Sequence, residues 1–230
     1  MPRYLPYMSY REFEEGVRGS LIVLPVGSLE QHCGGPLGAD ALIAEALAFR
    51  SCLVLESKGV SCIILPTLYY GFSPEWVKAP GTVTLSLSSL ASVIDDIVSS
   101  LARHGVDKLA IVNAHGGNSG LLEAVSRELS KKYGVLLGVF DYWRVSGLKL
   151  GHCDDIERDL LSSLLYLDPD CSCEHTASIP PYRLTGQLPP DTGIEGSPSP
   201  GYRVIAYKLA KALEEFYRQE RSQPPRRVGE

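Results

Sequence analysis

The sequence predicts an α/β fold built on a mainly parallel sheet with helices on both faces. Three observations carry that reading. Short, largely apolar runs of the kind buried on both sides recur at Leu21–Val26, 61–66, Lys108–Asn113 and 135–141. Longer segments with helical spacing alternate with them, which is the signature of strand–helix–strand units. Glycine-bearing turns follow the first and third runs, Gly27-Ser28 and His115-Gly116-Gly117.

Taken in order, the run Leu21–Val26 leads to a helical pattern over 40–57, with Asp40 as a candidate N-cap. After the second run comes a loop over 67–81, rich in Gly, Pro and aromatics, with Tyr69, Tyr70, Phe72 and Trp76. A helix follows over 86–104, with Leu87, Leu90, Ile94, Ile97 and Leu101 at a 3.6-residue period. Helices are expected over 118–133 after the third run and over 154–167 after the fourth. The stretch 168–201 is proline-rich and aperiodic, and is expected to be an ordered excursion or a cover facing substrate. A closing helix over 202–220 and a polar tail over 221–230 complete a single domain spanning 1–220.

Composition narrows the functions available. With 230 residues, 44% hydrophobic and 21% charged, the chain is long enough and apolar enough to bury a core. A net charge of −5 argues against a general binder of nucleic acid or anionic membrane. No apolar stretch approaches the roughly 20 residues of a membrane span, and the first residues hold no apolar signal core, so a cytoplasmic location is expected. Two Asn and two Met in the whole chain suggest a thermophilic source, where intracellular disulfides occur. A Cys52–Cys62 bridge fits the predicted elements; the alternative is six buried thiols.

The chemistry concentrates at strand ends. In parallel sheets ligands bind beyond the carboxyl ends of the strands. Glu30, Gln31 and His32 follow the first run, and His115 follows the third in Asn113-Ala114-His115-Gly116-Gly117-Asn118. Residues two apart in extended chain share a side, so Glu30 and His32 can meet one site. With Asp40, which can bridge two cations, this makes a mixed oxygen and nitrogen donor set suited to borderline divalent metals. Two ions are expected, zinc first and manganese or iron as alternatives.

Gly116 and Gly117 free backbone N–H groups toward a ligand or a developing oxyanion at a helix start. Asn113 and Asn118 are expected to brace that turn. Trp76 and Trp143 are candidate substrate contacts. His152 is a candidate proton donor to a leaving nitrogen, since imidazole exchanges protons near neutral pH. Glu157, five residues on, would project from the first turn of the following helix toward the same sheet edge, while Asp154 and Asp155 read as capping charges.

These residues also carry a family resemblance. Pro25-Val-Gly-Ser-Leu-Glu-Gln-His32 and Pro36-Leu-Gly-Ala-Asp40 resemble the opening signature of the creatininase (creatinine amidohydrolase) family. Pro80-Gly-Thr82, the 113–118 segment, His152 with Glu157, and Gly193-Ile-Glu-Gly196 fit it as well. The resemblance implies a three-layer α/β/α fold and hydrolysis of a non-peptide or cyclic C–N amide bond in a small molecule. It implies a two-metal site, with Glu30, Asp40 and His115 on one ion and His32 with bridging Asp40 on the other. His152 resembles the family's catalytic histidine, and Glu157 would orient His152 or complete the second ion. A homo-oligomer, a hexamer in many relatives, is implied too.

The chain departs from the pattern at several points. The loop from Glu30 to Asp40 is one residue short, Cys33-Gly34-Gly35 stands where Gly-Pro-His is usual, and Arg158-Asp159 stands where Thr-Ser is usual. Gly117 stands where creatininase itself has a metal-binding Glu, which argues against creatinine as substrate. Family relatives also deformylate a pyrimidine nucleotide, which calls for a phosphate site that Arg144, Lys149 or Arg183 would have to supply. The departures leave open a member that binds metal or ligand without turnover. Cys33, beside His32, is open as a metal ligand or a redox-active thiol.

Overall fold

The computed structural model describes residues 2–149, 151–165 and 201–219. The apolar runs form a five-stranded, wholly parallel sheet in the order β1-β3-β2-β4-β5. Its strands are β1 (Arg3–Tyr4), β2 (Leu21–Val26), β3 (Cys62–Ile64), β4 (Lys108–Asn113) and β5 (Leu136–Asp141). The helices are α1 (Tyr10–Gly16), α2 (Ala39–Ser57), α3 (Leu87–Arg103), α4 (Ser119–Tyr133), α5 (Tyr142–Ser146), α6 (Asp155–Leu165) and α7 (Gly201–Arg218).

Strand alternation sorts the core into two faces. Leu21 and Val23 of β2 point with Cys62, Ile64, Ala110 and Val112 into one cluster, against α2 and α7. Ile22, Leu24 and Val26 point with Ile63, Leu109 and Ile111 into the other, against α3 and α4. The fold is therefore three layers, α/β/α. The amphipathic stripe of α3 is as expected at Leu90, Ile94 and Leu101, with Val98 buried as well. Leu87, at its first position, is instead exposed, because it precedes the stretch that lies on the sheet. Fully burying a side chain such as Ile94 contributes about 1.5–3 kcal/mol. Among the described residues no helix is long and apolar enough to cross a membrane.

The strand order places the site. From β2 the chain crosses by α2 to β3 on one side, and from β4 by α4 to β5 on the other. Adjacent β2 and β4 thus send their following loops in opposite directions, which opens a crevice at their carboxyl ends. In register, Val26 pairs with Asn113, and Asn113 with Asp141, so the three loops start level. Gly27 fits α2 close against this end: a Cβ there would lie 2.2 Å from the Ala41 backbone nitrogen.

Several features differ from the sequence expectations. Strand β1 is too short to show a period, and α1 is announced only by its Ser9/Glu12 capping box. Asp40 does not cap α2; Gly38 holds the N-cap, which leaves the Asp40 carboxylate free for the site. Cys52 and Cys62 are free and buried rather than bridged. Burial above all, then the Cys62 thiol, pushes the Cys52 pKa well up. The disulfide joins Cys33 to Cys153, which also corrects the reading of six buried thiols and that of Cys33 as a metal ligand. The proline-rich excursion up to residue 200, with Cys171, Cys173, His175, Arg183 and Gly193-Ile-Glu-Gly196, lies outside the described residues, as does the tail over 221–230.

Candidate metal and hydrolase site

Glu30, Asp40 and His115 meet at the mouth of the crevice, buried to 1%, 7% and 5% exposure. Asp40 comes from the first turn of α2, and Ser28 Oγ donates to its Oδ2 at 2.8 Å. The same Oδ2 lies 3.0 Å from His115 Nδ1, while Oδ1 lies 3.7 Å from His32 Nε2. The carboxylate therefore stands between two imidazoles with one oxygen toward each.

His115 is fixed by its scaffold. Its backbone N–H donates to Asn113 Oδ1 at 3.2 Å, and Asn113 Nδ2 donates to the His115 carbonyl at 2.8 Å. Asn118 Nδ2 donates to the Gly27 carbonyl and Asn118 Oδ1 accepts from Phe72 N, both at 2.9 Å. The two asparagines thus brace the turn as expected and tie the β2, β4 and 67–81 loops together. His115 Nε2 lies 3.0 Å from the Phe72 carbonyl, which only accepts, so that nitrogen carries the proton. In a neutral ring Nδ1 then turns its lone pair on Asp40, an arrangement that calls for a proton or a metal cation between them.

A second group lies alongside. His32 Nδ1 is 3.0 Å from Glu157 Oε1, and Glu157 Oε2 accepts from Cys153 N at 3.1 Å. Glu157 thus orients His32 rather than His152, and it stands with both in a group that could hold a metal. A carboxylate on Nδ1 leaves Nε2 as the free donor of His32. His152 stacks on Trp76 with ring centroids 4.6 Å apart, and its Nε2 lies 2.7 Å from Gln31 Nε2. Its Nδ1 lies 3.8 Å from Glu30 Oε1.

Burial alone would lower the pKa of both His32 and His115. The partners outweigh it: Glu157, then Asp40 and Glu30, raise His32 overall, and Asp40 and Glu30 raise His115. Each imidazole therefore favours its protonated form more than a free imidazole does. Burial, followed by the charges of Asp40, Glu157 and Asp154, pushes the Tyr142 phenol far up, so it stays neutral.

The donor set fits a divalent metal. Glu30 Oε2 and His32 Nε2 are buried with no hydrogen-bond partner, a costly state that a cation relieves. Glu30, Asp40 and His115 form one group whose ligand atoms lie within 4.8 Å of one another, and His32, His152 and Glu157 form another.

The surrounding pocket, of about 390 Å³, is lined by Glu75, Trp76, Gly116, Gly117 and Tyr142 beside Glu30, Asp40, His115, His152 and Glu157. Trp143 is not among them; it packs in the core beside Tyr142, because the chain enters α5 immediately after β5. Arg144 is paired with Glu123 and Asp141, and neither it nor Lys149 lines the pocket. Sequence reasoning missed Ser73, whose Oγ lies 3.2 Å from His115 Nε2, and the pocket residues Glu75 and Tyr142, which have no motif of their own. The Cys33–Cys153 pair had a signal: each cysteine directly follows a site histidine.

A model of the creatininase (creatinine amidohydrolase) family matches residues 6–178. The chain belongs to the creatininase family. A creatinine amidohydrolase from Pseudomonas putida is 30% identical over 123 residues, which cover 49% of this chain and 44% of that protein. A mycofactocin precursor peptide peptidase from Mycolicibacterium smegmatis is 33% identical over 109 residues, 45% of this chain and 42% of that one. A 2-amino-5-formylamino-6-ribosylaminopyrimidin-4(3H)-one 5'-monophosphate deformylase from Methanococcus maripaludis is 27% identical over 124 residues, 54% of this chain and 53% of that one. The chain spans about half the length of the curated relatives it matches.

Over nearly the whole chain the fold is that of solved creatininases. A structure from Bacteroides fragilis described as a creatinine amidohydrolase superposes with a TM-score of 0.70 at 22% identity, covering 96% of this chain and 98% of that one. A zinc–zinc form of a creatininase mutant gives 0.68 and a manganese creatininase 0.69, each at 23% identity and covering 95% of this chain and 100% of the other.

Proposed function

We propose that this creatininase-family chain is a metal-dependent amidohydrolase acting on a C–N bond of a small amide. The observation that carries the reading is Asp40, whose two oxygens face one histidine each while Glu30 Oε2 and His32 Nε2 lie buried and unbonded. Glu30, Asp40 and His115 would hold one divalent cation, and His32 with Asp40 a second, zinc or manganese. Bound cations would supply Lewis-acid activation of water and of the amide carbonyl.

The chain's own groups do the rest. Glu157 and Asn113 keep His32 and His115 in their orientations. Trp76 and Gln31 hold His152 at the pocket wall, where it gives a proton to the departing nitrogen. The backbone N–H groups of Gly116 and Gly117, at a helix start, face the developing oxyanion. Gly117 is required for the close approach, since a Cβ there would lie 2.5 Å from His115 Nε2. The subunit is expected to act as a homo-oligomer, which a mass measurement in solution tests.

The alternative of a formylamino-pyrimidine nucleotide deformylase finds support in the Methanococcus relative. It finds none in the pocket, where no Lys or Arg is among the described lining residues to meet a phosphate. The deciding experiment is metal analysis of the purified chain with a screen of formamides, cyclic ureides and short peptides. The proposal expects bound divalent metal, lost in His115→Ala, and turnover of an uncharged amide. A metal-free chain without activity sinks it; bound metal without turnover supports a binding-only member.

A further inference from the structure

We propose that the Cys33–Cys153 disulfide is a positioning element of the site, so that reduction of this bond releases His152 and loosens His32. The proposal rests on the metal-site reading above for what His32 and His152 do. It rests on independent geometry for how they are held.

The two segments joined by the bridge are 120 residues apart, and their Cα atoms stand 5.9 Å from each other. Each cysteine is the immediate neighbour of a site histidine, His32-Cys33 and His152-Cys153. Each also links by its backbone N–H to a group that holds a histidine. Cys33 N donates to Gln31 Oε1 at 3.0 Å, and the other end of that amide meets His152. Cys153 N donates to Glu157 Oε2, and the other oxygen of that carboxylate meets His32. The disulfide is thus the shared edge of two closed rings of contacts, one through each histidine.

Backbone conformation gives a second, separate argument. Cys33 and Cys153 have φ of 51° and 58°, and they are the only non-glycine residues with positive φ among those described. L-residues are strained in this region, and glycine is the ordinary occupant. Cysteine at both places points to a need for the sulfur rather than for the turn. Once the bond opens, nothing covalent keeps either residue there. Each can relax to an extended conformation, and the neighbouring histidine turns with it.

The bond is open to exchange, since Cys33 is exposed. A thiolate of a dithiol reductant attacks the Cys33 sulfur and displaces the Cys153 thiolate, which takes up a proton. The second thiol of the reductant then attacks the mixed disulfide and frees Cys33. Two protein thiols form, and the reductant leaves as its own disulfide.

The test uses the full chain, oxidised, reduced by a phosphine and desalted, and reoxidised, together with the double variant Cys33→Ser/Cys153→Ser. The chain contains only Trp76 and Trp143, so its ¹⁵N spectrum shows two indole N–H resonances. On reduction the resonance of Trp76, which stacks on His152, is expected to move while that of core Trp143 stays. Affinity for the more weakly held zinc ion, measured by chelator competition, falls about 10–100-fold, as when an outer partner of a ligand histidine is removed. Both changes reverse on reoxidation, and the double variant behaves as the reduced chain.

An unmoved Trp76 resonance with unchanged zinc affinity overturns the proposal, even if the melting temperature falls, because a plain staple does only that. If no form binds zinc or manganese, the metal reading fails and the Trp76 resonance alone decides the positioning role. If the double variant does not fold, reversible reduction of the unmodified chain gives the answer.

Discussion

Glu30, Asp40 and His115 hang from the ends of β2, α2 and β4, and their partners are scaffold groups: Ser28, Asn113 and the Phe72 carbonyl. His152 comes from the segment leading into α6 and Glu157 from the first turn of that helix, well after the last strand of the sheet. Their partners are other site residues: Gln31, Trp76, His32 and, through Cys153, the disulfide. The first group is fixed by the sheet and the second by contacts across the pocket. Side chains carried on strands and helices are held more precisely than those carried on loops. His152 is accordingly the more open, with a side chain 29% exposed against 10% or less for Glu30, Asp40 and His115.

Breaking the sheet-borne group should have the largest effect. Asp40→Ala removes the carboxylate shared by two imidazoles and is expected to abolish metal binding and lower kcat/KM about 10⁴-fold, several kcal/mol of lost activation. Metal analysis and kinetics on one preparation check both. His152→Ala attacks the other side. It should lower kcat by about 10²–10⁴-fold, the range for a general acid, while metal content stays as in the parent. If metal is lost as well, the two regions are one unit and the contrast drawn here fails.

Gly117→Ala sharpens the comparison without removing a polar group. The new Cβ would sit 2.3 Å from the Phe72 carbonyl oxygen and 2.5 Å from His115 Nε2. It should cost about 1–3 kcal/mol of stability in urea unfolding, and the His115-bearing site should lose metal before the His32-bearing one. The smallest effect lies outside both regions and serves as a control. Hydrogen bonds from Lys132 and then Tyr133 hold the Asp95 carboxyl below its ordinary pKa. A carboxyl lowered in the fold stabilises above its unfolded pKa, and that contribution is lost as pH falls through the folded value. Asp95→Asn should therefore lower the melting temperature by about 1–2 °C at neutral pH, with the difference fading below about pH 4 and metal content unchanged.

What the sequence by itself determined was the architecture and the sheet-borne half of the site. The strands β2, β3 and β4 are legible because burial on both faces leaves runs of apolar residues. The helix α3 is legible because one face repeats every 3.6 residues. Glu30, His32 and His115 are legible because they sit directly beyond those strands, where an open parallel sheet presents its crevice. Asp40 was read as a cap as well as a ligand, whereas its place in the first turn of α2 depends on Gly38 taking the cap.

Only the tertiary structure decided the pairings. Nothing local tells Glu157 to choose His32 over His152, brings Trp76 onto His152, buries Trp143 or leaves Cys52 and Cys62 unbridged. Those choices follow from how far apart the loops stand once the helices have packed. The linking of Cys33 to Cys153 is the clearest case. Two residues 120 positions apart become neighbours only because two strand-end loops and the lead-in to α6 converge on one crevice. Short-range pattern fixes which residues are buried or exposed, while partner choice depends on distances that exist only in the folded chain.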